Sequence, residues 1–85
     1  MEEEENIRST AAEDAALESA VLQQVLALHP ATVTLEELAR ELREEDRDAM
    51  ERAVRDLAAA GLLHRSEALV LPTRAALRFD ELLER

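Results

Sequence analysis

Two short apolar quartets constrain this chain more than any other feature in it. Leu35, Leu38, Ala39 and Leu42 recur at i, i+3, i+4 and i+7, and Met50, Ala53, Val54 and Leu57 repeat that spacing. Each quartet puts one apolar stripe on a helix. A helix this short holds only when its stripe is covered. Between the quartets lies Arg43–Asp46, REED, which breaks the apolar pattern. Thr34 opens a capping box, TLEE, before the first quartet, and Asp46 is an N-cap candidate before the second. Gly61, the only glycine, stands where a left-handed helix terminus needs it.

The flanks extend this pair. Thr10 to Glu13 reads T-x-x-E, a capping box, and a helix is expected from there to about His29, where Pro30 stops it. Leu17, Val21, Val25 and Leu28 form its stripe, and Leu22 and Leu26 widen that stripe to about half the helix surface. A stripe that wide points to contact on two sides, with the core and with a second helix or subunit. Ala31-Thr32-Val33 is a short extended link. After Gly61, Leu62–Arg65 and Ala68–Leu71 read as two strands around Ser66-Glu67, a turn without an Asn-Gly or Gly-X signature. Pro72 ends the second strand, and Thr73 caps a last helix with Ala75, Ala76, Phe79, Leu82 and Leu83 on one side. Leu77 lies off that side and needs another neighbour.

The expected fold is mainly α with a small β-hairpin. An acidic flexible arm, residues 1–9, precedes one domain, residues 10–85. Its helices fall at about 10–29, 35–44, 47–60 and 73–84, and its hairpin at about 62–71. The arm's four consecutive Glu suit a solvated segment, or else an acidic mimic of DNA.

Composition narrows the chemistry. Without Cys there are no disulfides and no thiolate metal ligands. His29 and His64 stand far apart in the chain, so no metal site is expected. A single Gly cannot build a phosphate-cradling loop, and Ser9, Ser19 and Ser66 have no base at readable spacing. The glutamate pairs 36–37 and 44–45 point in different directions on a helix and make no acid–base dyad. Phe79 is the only aromatic residue, too little for stacking on single strands. No catalytic residue and no cofactor is expected. The acidic N-terminus is unlike a signal peptide and no apolar run reaches membrane-spanning length, so the expected setting is cytoplasmic, with no membrane partner. All ten basic residues are Arg, a bias in keeping with a GC-rich bacterial genome and silent about function. Twenty acids oppose them. Residues 21–85 hold thirteen acids and nine Arg, a net of −4, far from the basic footprint of a protein that grips phosphates by bulk charge.

The order of elements is helix, short strand, helix, helix, hairpin, helix. ELAREL (37–42), then Met50, Val54 and Leu57, then AAGLLHR (59–65), resembles the winged helix-turn-helix domain of bacterial regulators of the MarR and ArsR type. The likeness covers Val21 to Leu71 well and the flanking helices loosely. It departs from the family in the REED turn, which is charged and lacks the frequent Gly. The resemblance implies a transcription regulator that binds duplex DNA as a homodimer, with the third helix in the major groove. It places Arg65 at the tip of the wing, near the minor groove or its phosphates. It also puts the dimer contact on the terminal helices, where Leu22, Leu26, Leu77, Phe79, Leu82 and Leu83 are the candidates.

At about 100° per residue, Arg47, Asp48, Glu51, Arg52, Arg55 and Asp56 fall opposite the buried quartet of the third helix. The candidate DNA-contacting set is Arg47, Asp48, Glu51, Arg52, Arg55 and Arg65. The Arg can donate to phosphates or guanine edges, whereas Asp48 and Glu51 can accept only from cytosine amino groups. Arg47–Glu51, Asp48–Arg52, Glu51–Arg55 and Arg52–Asp56 are all i, i+4 neighbours of opposite charge, each pair worth about 0.2–0.5 kcal/mol. The face is therefore expected to neutralise itself. A second function follows from that balance: the same fold used for protein contacts, with an acidic surface that meets a basic protein partner and no DNA.

Overall fold

A computed structural model describes residues 2–84, with side chains from residue 11 onward. The chain runs α1 (Glu2–Leu28), β1 (Val33–Thr34), α2 (Leu35–Leu42), α3 (Arg47–Ala59), β2 (Leu63–Ser66), β3 (Leu69–Pro72) and α4 (Arg74–Leu83). It is mainly helical, with a three-stranded antiparallel sheet in the order β1-β3-β2.

Three of the helices start at the expected caps. The Thr34 hydroxyl accepts the Glu37 amide at 3.1 Å, while the Glu37 carboxylate accepts the Thr34 amide at 3.2 Å. The Asp46 carboxylate accepts the Ala49 amide, and the Thr73 hydroxyl accepts the Ala76 amide. The first helix differs. It begins at Glu2, so no helix start lies at Thr10, and residues 2–9 continue the helix where an arm was expected. Glu is a good helix former, and acids at an N-terminus complement the helix dipole. Local propensity therefore carries the helix past the capping-box pattern.

Two helix ends close in the same way. At the end of α3 the Leu62 amide donates to the Leu57 carbonyl and the Gly61 amide to the Ala58 carbonyl, with Gly61 at φ 81°. At the end of α2 the Glu44 amide donates to the Ala39 carbonyl and the Arg43 amide to the Arg40 carbonyl, with Arg43 at φ 55°. Both are Schellman closures. Arg43 adopts the left-handed conformation for which no glycine is present, and this ends α2 two residues before the expected position 44.

The hairpin sits one residue later than expected. Its turn is Glu67-Ala68, and Ser66 pairs with Leu69, Arg65 with Val70 and Leu63 with Pro72. Val70 also pairs with Val33 of β1, so the register is set by a buried valine that two strands share. Glu67, at φ 57°, is the only turn residue with positive φ. That sign pattern matches a type II′ turn, in which Gly usually takes the first place.

The core joins Val21 and Val25 of α1, Val33, Leu35 and Leu38, the α3 quartet, Leu63 and Val70. Leu17, Leu22, Leu28, Ala39, Leu42 and Leu62 pack around its edge. Each fully buried aliphatic side chain contributes about 1.5–3 kcal/mol relative to exposure. The last helix divides the apolar side read from its sequence. Ala76 is buried and Leu77 and Asp80 half-buried, while Phe79, Leu82 and Leu83 point outward at 61, 50 and 68% exposure. The Thr73 hydroxyl donates to the Gly61 carbonyl at 2.7 Å and fixes the start of α4 against the end of α3. From that anchor α4 turns its 73-76-77-80 side toward the domain. Among the described residues, no helix is long and apolar enough to cross a membrane.

Candidate functional site

The outward face of α3 carries the residues singled out from the sequence. Arg47, Asp48, Arg52, Arg55 and Asp56 are exposed and Glu51 is half-buried, opposite Met50, Ala53, Val54 and Leu57. The helical period alone sufficed to place them.

Their pairing is different from the expected i, i+4 lacing, and none of those four pairs is among the ion pairs of the described residues. Arg47 Nη2 lies 3.2 Å from Glu36 Oε1 on α2. Arg52 Nη2 lies 3.8 Å from Asp14 Oδ1 on α1. Arg55 Nε reaches its neighbour Asp56 at 4.0 Å. Glu51 is taken by Arg65 of β2. The charges still cancel, but mostly between elements. An i, i+4 reading sees a single helix and is blind to carboxylates that the fold brings from elsewhere. In the packed molecule a guanidinium stem reaches sideways to a neighbouring helix as easily as along its own.

Arg65 is the best-held of these groups. Its pairing with Val70 puts it on the inner face of the hairpin, beside Leu63. From there its guanidinium reaches Glu51 on α3. Nη1 and Nη2 donate to the two oxygens of the Glu51 carboxylate, the second at 3.4 Å, and Nε donates to the Glu67 carbonyl at 3.1 Å. Arg65 therefore folds back two residues before the turn. The two-pronged hydrogen bond from Arg65 holds the Glu51 carboxyl below its ordinary pKa, against a smaller opposing effect of partial burial. Arg47 and Arg55 lower it further through their charge. The same bond raises the Arg65 guanidinium.

Three open clefts surround this face. One of about 200 Å³ lies between the start of α2, the start of α3 and the hairpin turn, and is lined by Thr34, Leu35, Glu36, Arg47, Arg65 and Ala68. A second of about 290 Å³ between α2 and α3 shares Leu35, Glu36 and Arg47 with it. The third, about 510 Å³, is acidic: Glu13, Asp14, Glu44 and Asp46 face Arg52. Between the terminal helices, a cleft of about 310 Å³ is lined by Gln23, Leu26, Ala27, Asp80 and Glu84.

The remaining arginines with described side chains are dispersed, with Arg74 exposed at the start of α4. Arg78 pairs with Glu81 within α4, and Arg40 and Arg43 lie exposed at the end of α2. Among the described residues no group of His, Asp and Glu is placed to hold a metal ion. Of the apolar residues expected at a subunit contact, Phe79, Leu82 and Leu83 are exposed, and Leu22, Leu26 and Leu77 are half-buried. In comparison with known proteins, the chain matches no family model, no curated protein and no solved structure.

Proposed function

We propose that the chain is a winged helix-turn-helix protein of the general MarR/ArsR kind, non-catalytic, that binds duplex DNA as a homodimer and regulates transcription in the bacterial cytoplasm. The observation that carries this reading is the position of Arg47, Arg52, Arg55 and Arg65. Arg47, Arg52 and Arg55 are exposed on α3, the Arg65 guanidinium reaches that helix from the hairpin at Glu51, and none of the four belongs to the buried core. In this reading α2 supports α3 across the Arg43 turn, α3 enters the major groove, and the β2–β3 hairpin is the wing. Arg52 and Arg55 donate to guanine edges or phosphates, while Asp48 and Glu51 accept only from cytosine amino groups. The resident ion pairs of Arg47, Arg52 and Arg55 are exposed, and such pairs are worth about 0–1 kcal/mol, so exchanging a carboxylate for a phosphate costs little.

Fluorescence anisotropy with duplex DNA from the protein's own upstream region tests the reading, at low and at physiological salt, with an unrelated duplex as competitor. Saturable binding that survives competition is expected. Arg52→Ala with Arg55→Ala should weaken it about tenfold or more, from loss of contacts worth roughly 1–3 kcal/mol each. Undiminished binding by that double variant would remove α3 from the interface.

One observation favours a second reading. Three of the four guanidiniums are held by carboxylates of other elements, and residues 21–85 carry a net of −4. A winged helix so neutralised suits contact with a basic protein partner. Absence of DNA binding at low salt, together with recovery of one stoichiometric basic protein on the immobilised chain, is the pattern that reading expects.

A further inference from the structure

Arg47 and Arg65 come from different elements and line the same small cleft between α2, α3 and the hairpin turn. Each already holds a carboxylate, Glu36 for Arg47 and Glu51 for Arg65. The Glu51 carboxylate, gripped by two guanidinium nitrogens, presents its oxygens much as a phosphodiester does. We infer that this cleft is a phosphodiester seat in which Arg65 and Arg47 grip one backbone phosphate, and that Glu51 and Glu36 are placeholders which the phosphate displaces.

The cleft has the chemistry for that exchange. Its lining includes apolar Leu35 and Ala68, and its two cationic groups come from α3 and from β2. Arg65 is pre-oriented by the bond from its Nε to the Glu67 carbonyl, which leaves Nη1 and Nη2 for a two-pronged contact. Glu36 and Glu51 are both partly open to water, so each can turn out to solvent when released. The placeholders also set the threshold for binding. Each arginine that takes a phosphate leaves a carboxylate to be hydrated and to recruit a cation, which offsets part of the counterion release that normally drives association. Binding through this seat is therefore weaker and less salt-dependent than its arginines alone would give. The inference deepens the DNA reading and rests on it for the source of the phosphate.

The test uses the full chain and a random duplex of about 20 base pairs at low salt, a length that covers a two-turn site. Glu36→Gln with Glu51→Gln keeps side-chain shape and removes both placeholders. This variant should bind about tenfold more tightly, with a steeper dependence of log K on log salt, by up to about 0.9 per freed arginine. Glu41→Gln with Glu45→Gln removes the same charge from exposed positions outside the ion pairs described, and should change affinity about threefold or less under the same screening. Adding Arg47→Ala and Arg65→Ala to the first variant should erase its gain. A gain matched by the control pair, or one that survives loss of both arginines, overturns the seat and leaves the DNA reading standing. If no form binds duplex, the DNA reading falls, and inorganic phosphate is then titrated against the Nε–H resonances of Arg47 and Arg65 in the double-Gln variant. Saturable shifts of both resonances then assign the seat to a free phosphate. Unmoved resonances overturn it.

Discussion

Arg43 and Gly61 do the same job at the ends of neighbouring helices, and only one of them suits it. Both hold positive φ and both donate into a Schellman closure. A left-handed conformation costs a side-chain-bearing residue about 1–2 kcal/mol, and glycine's added freedom in the unfolded chain offsets about 0.5–1 kcal/mol of what it relieves. Arg43→Gly should therefore raise stability by about 0.5–1 kcal/mol, read as a higher urea midpoint with an unchanged m-value. Gly61→Ala should lower it by about 1 kcal/mol in the same assay. Nothing stands within 4 Å of a Cβ at position 61, so that cost comes from the backbone and not from crowding. In the core, Leu38 is wholly inaccessible. Leu38→Ala should cost about 2–5 kcal/mol. In a chain of this size total stability is on the order of 5–10 kcal/mol, so that variant should unfold at a markedly lower temperature than wild type.

Between elements, two contacts tie the second half of the chain together. The Thr73 hydroxyl caps α4 and donates to the Gly61 carbonyl, joining the end of α3 to the start of α4. Thr73→Ala removes both roles and should cost about 1–2 kcal/mol by urea denaturation, the upper part of the range for a lost N-cap. The Glu51–Arg65 pair joins α3 to the hairpin. Because the folded-state pKa of Glu51 lies below its unfolded value, its contribution is complete above the ordinary glutamate pKa of 4.5. It is lost as pH falls through the lowered folded value. Wild type should therefore lose stability more steeply than Glu51→Gln below pH 4.5, and the two profiles should run parallel above it. Parallel profiles throughout would mean that the pair does not persist in solution.

For the whole molecule, the outward side of α4 is the feature without a covering partner. Phe79, Leu82 and Leu83 lie exposed together on one short helix, and Leu22 and Leu26 are half-buried on α1. The proposed homodimer would bury this side. Light scattering should then give a dimer mass for wild type and the 9.5 kDa of a single chain for Phe79→Asp with Leu83→Asp. Thermal stability of the isolated chain should move by no more than about 0.5 kcal/mol, because neither residue belongs to the core. A single-chain mass for wild type at high concentration would remove the dimer from the proposal, and with it the two-fold spacing of any DNA site.

Sequence by itself determined most of the elements and the inward sides of α1, α2 and α3. Periodicity placed the α2 and α3 quartets, and Thr34, Asp46, Thr73 and Gly61 marked helix ends, because caps and stripes depend on residues a turn or less apart. The outward set on α3 was legible for the same reason. Tertiary structure alone decided what that face holds. The partners of Arg47, Arg52 and Arg65 are Glu36, Asp14 and Glu51, at separations of 11, 38 and 14 residues. Only packing brings such groups together, and no local period records it. On α4, sequence grouped Ala75, Ala76, Phe79, Leu82 and Leu83 on one side; packing buries only Ala76 of these and leaves Phe79, Leu82 and Leu83 exposed. Local sequence can say which face of a helix is apolar. Where that face points is set by the contacts that anchor its ends.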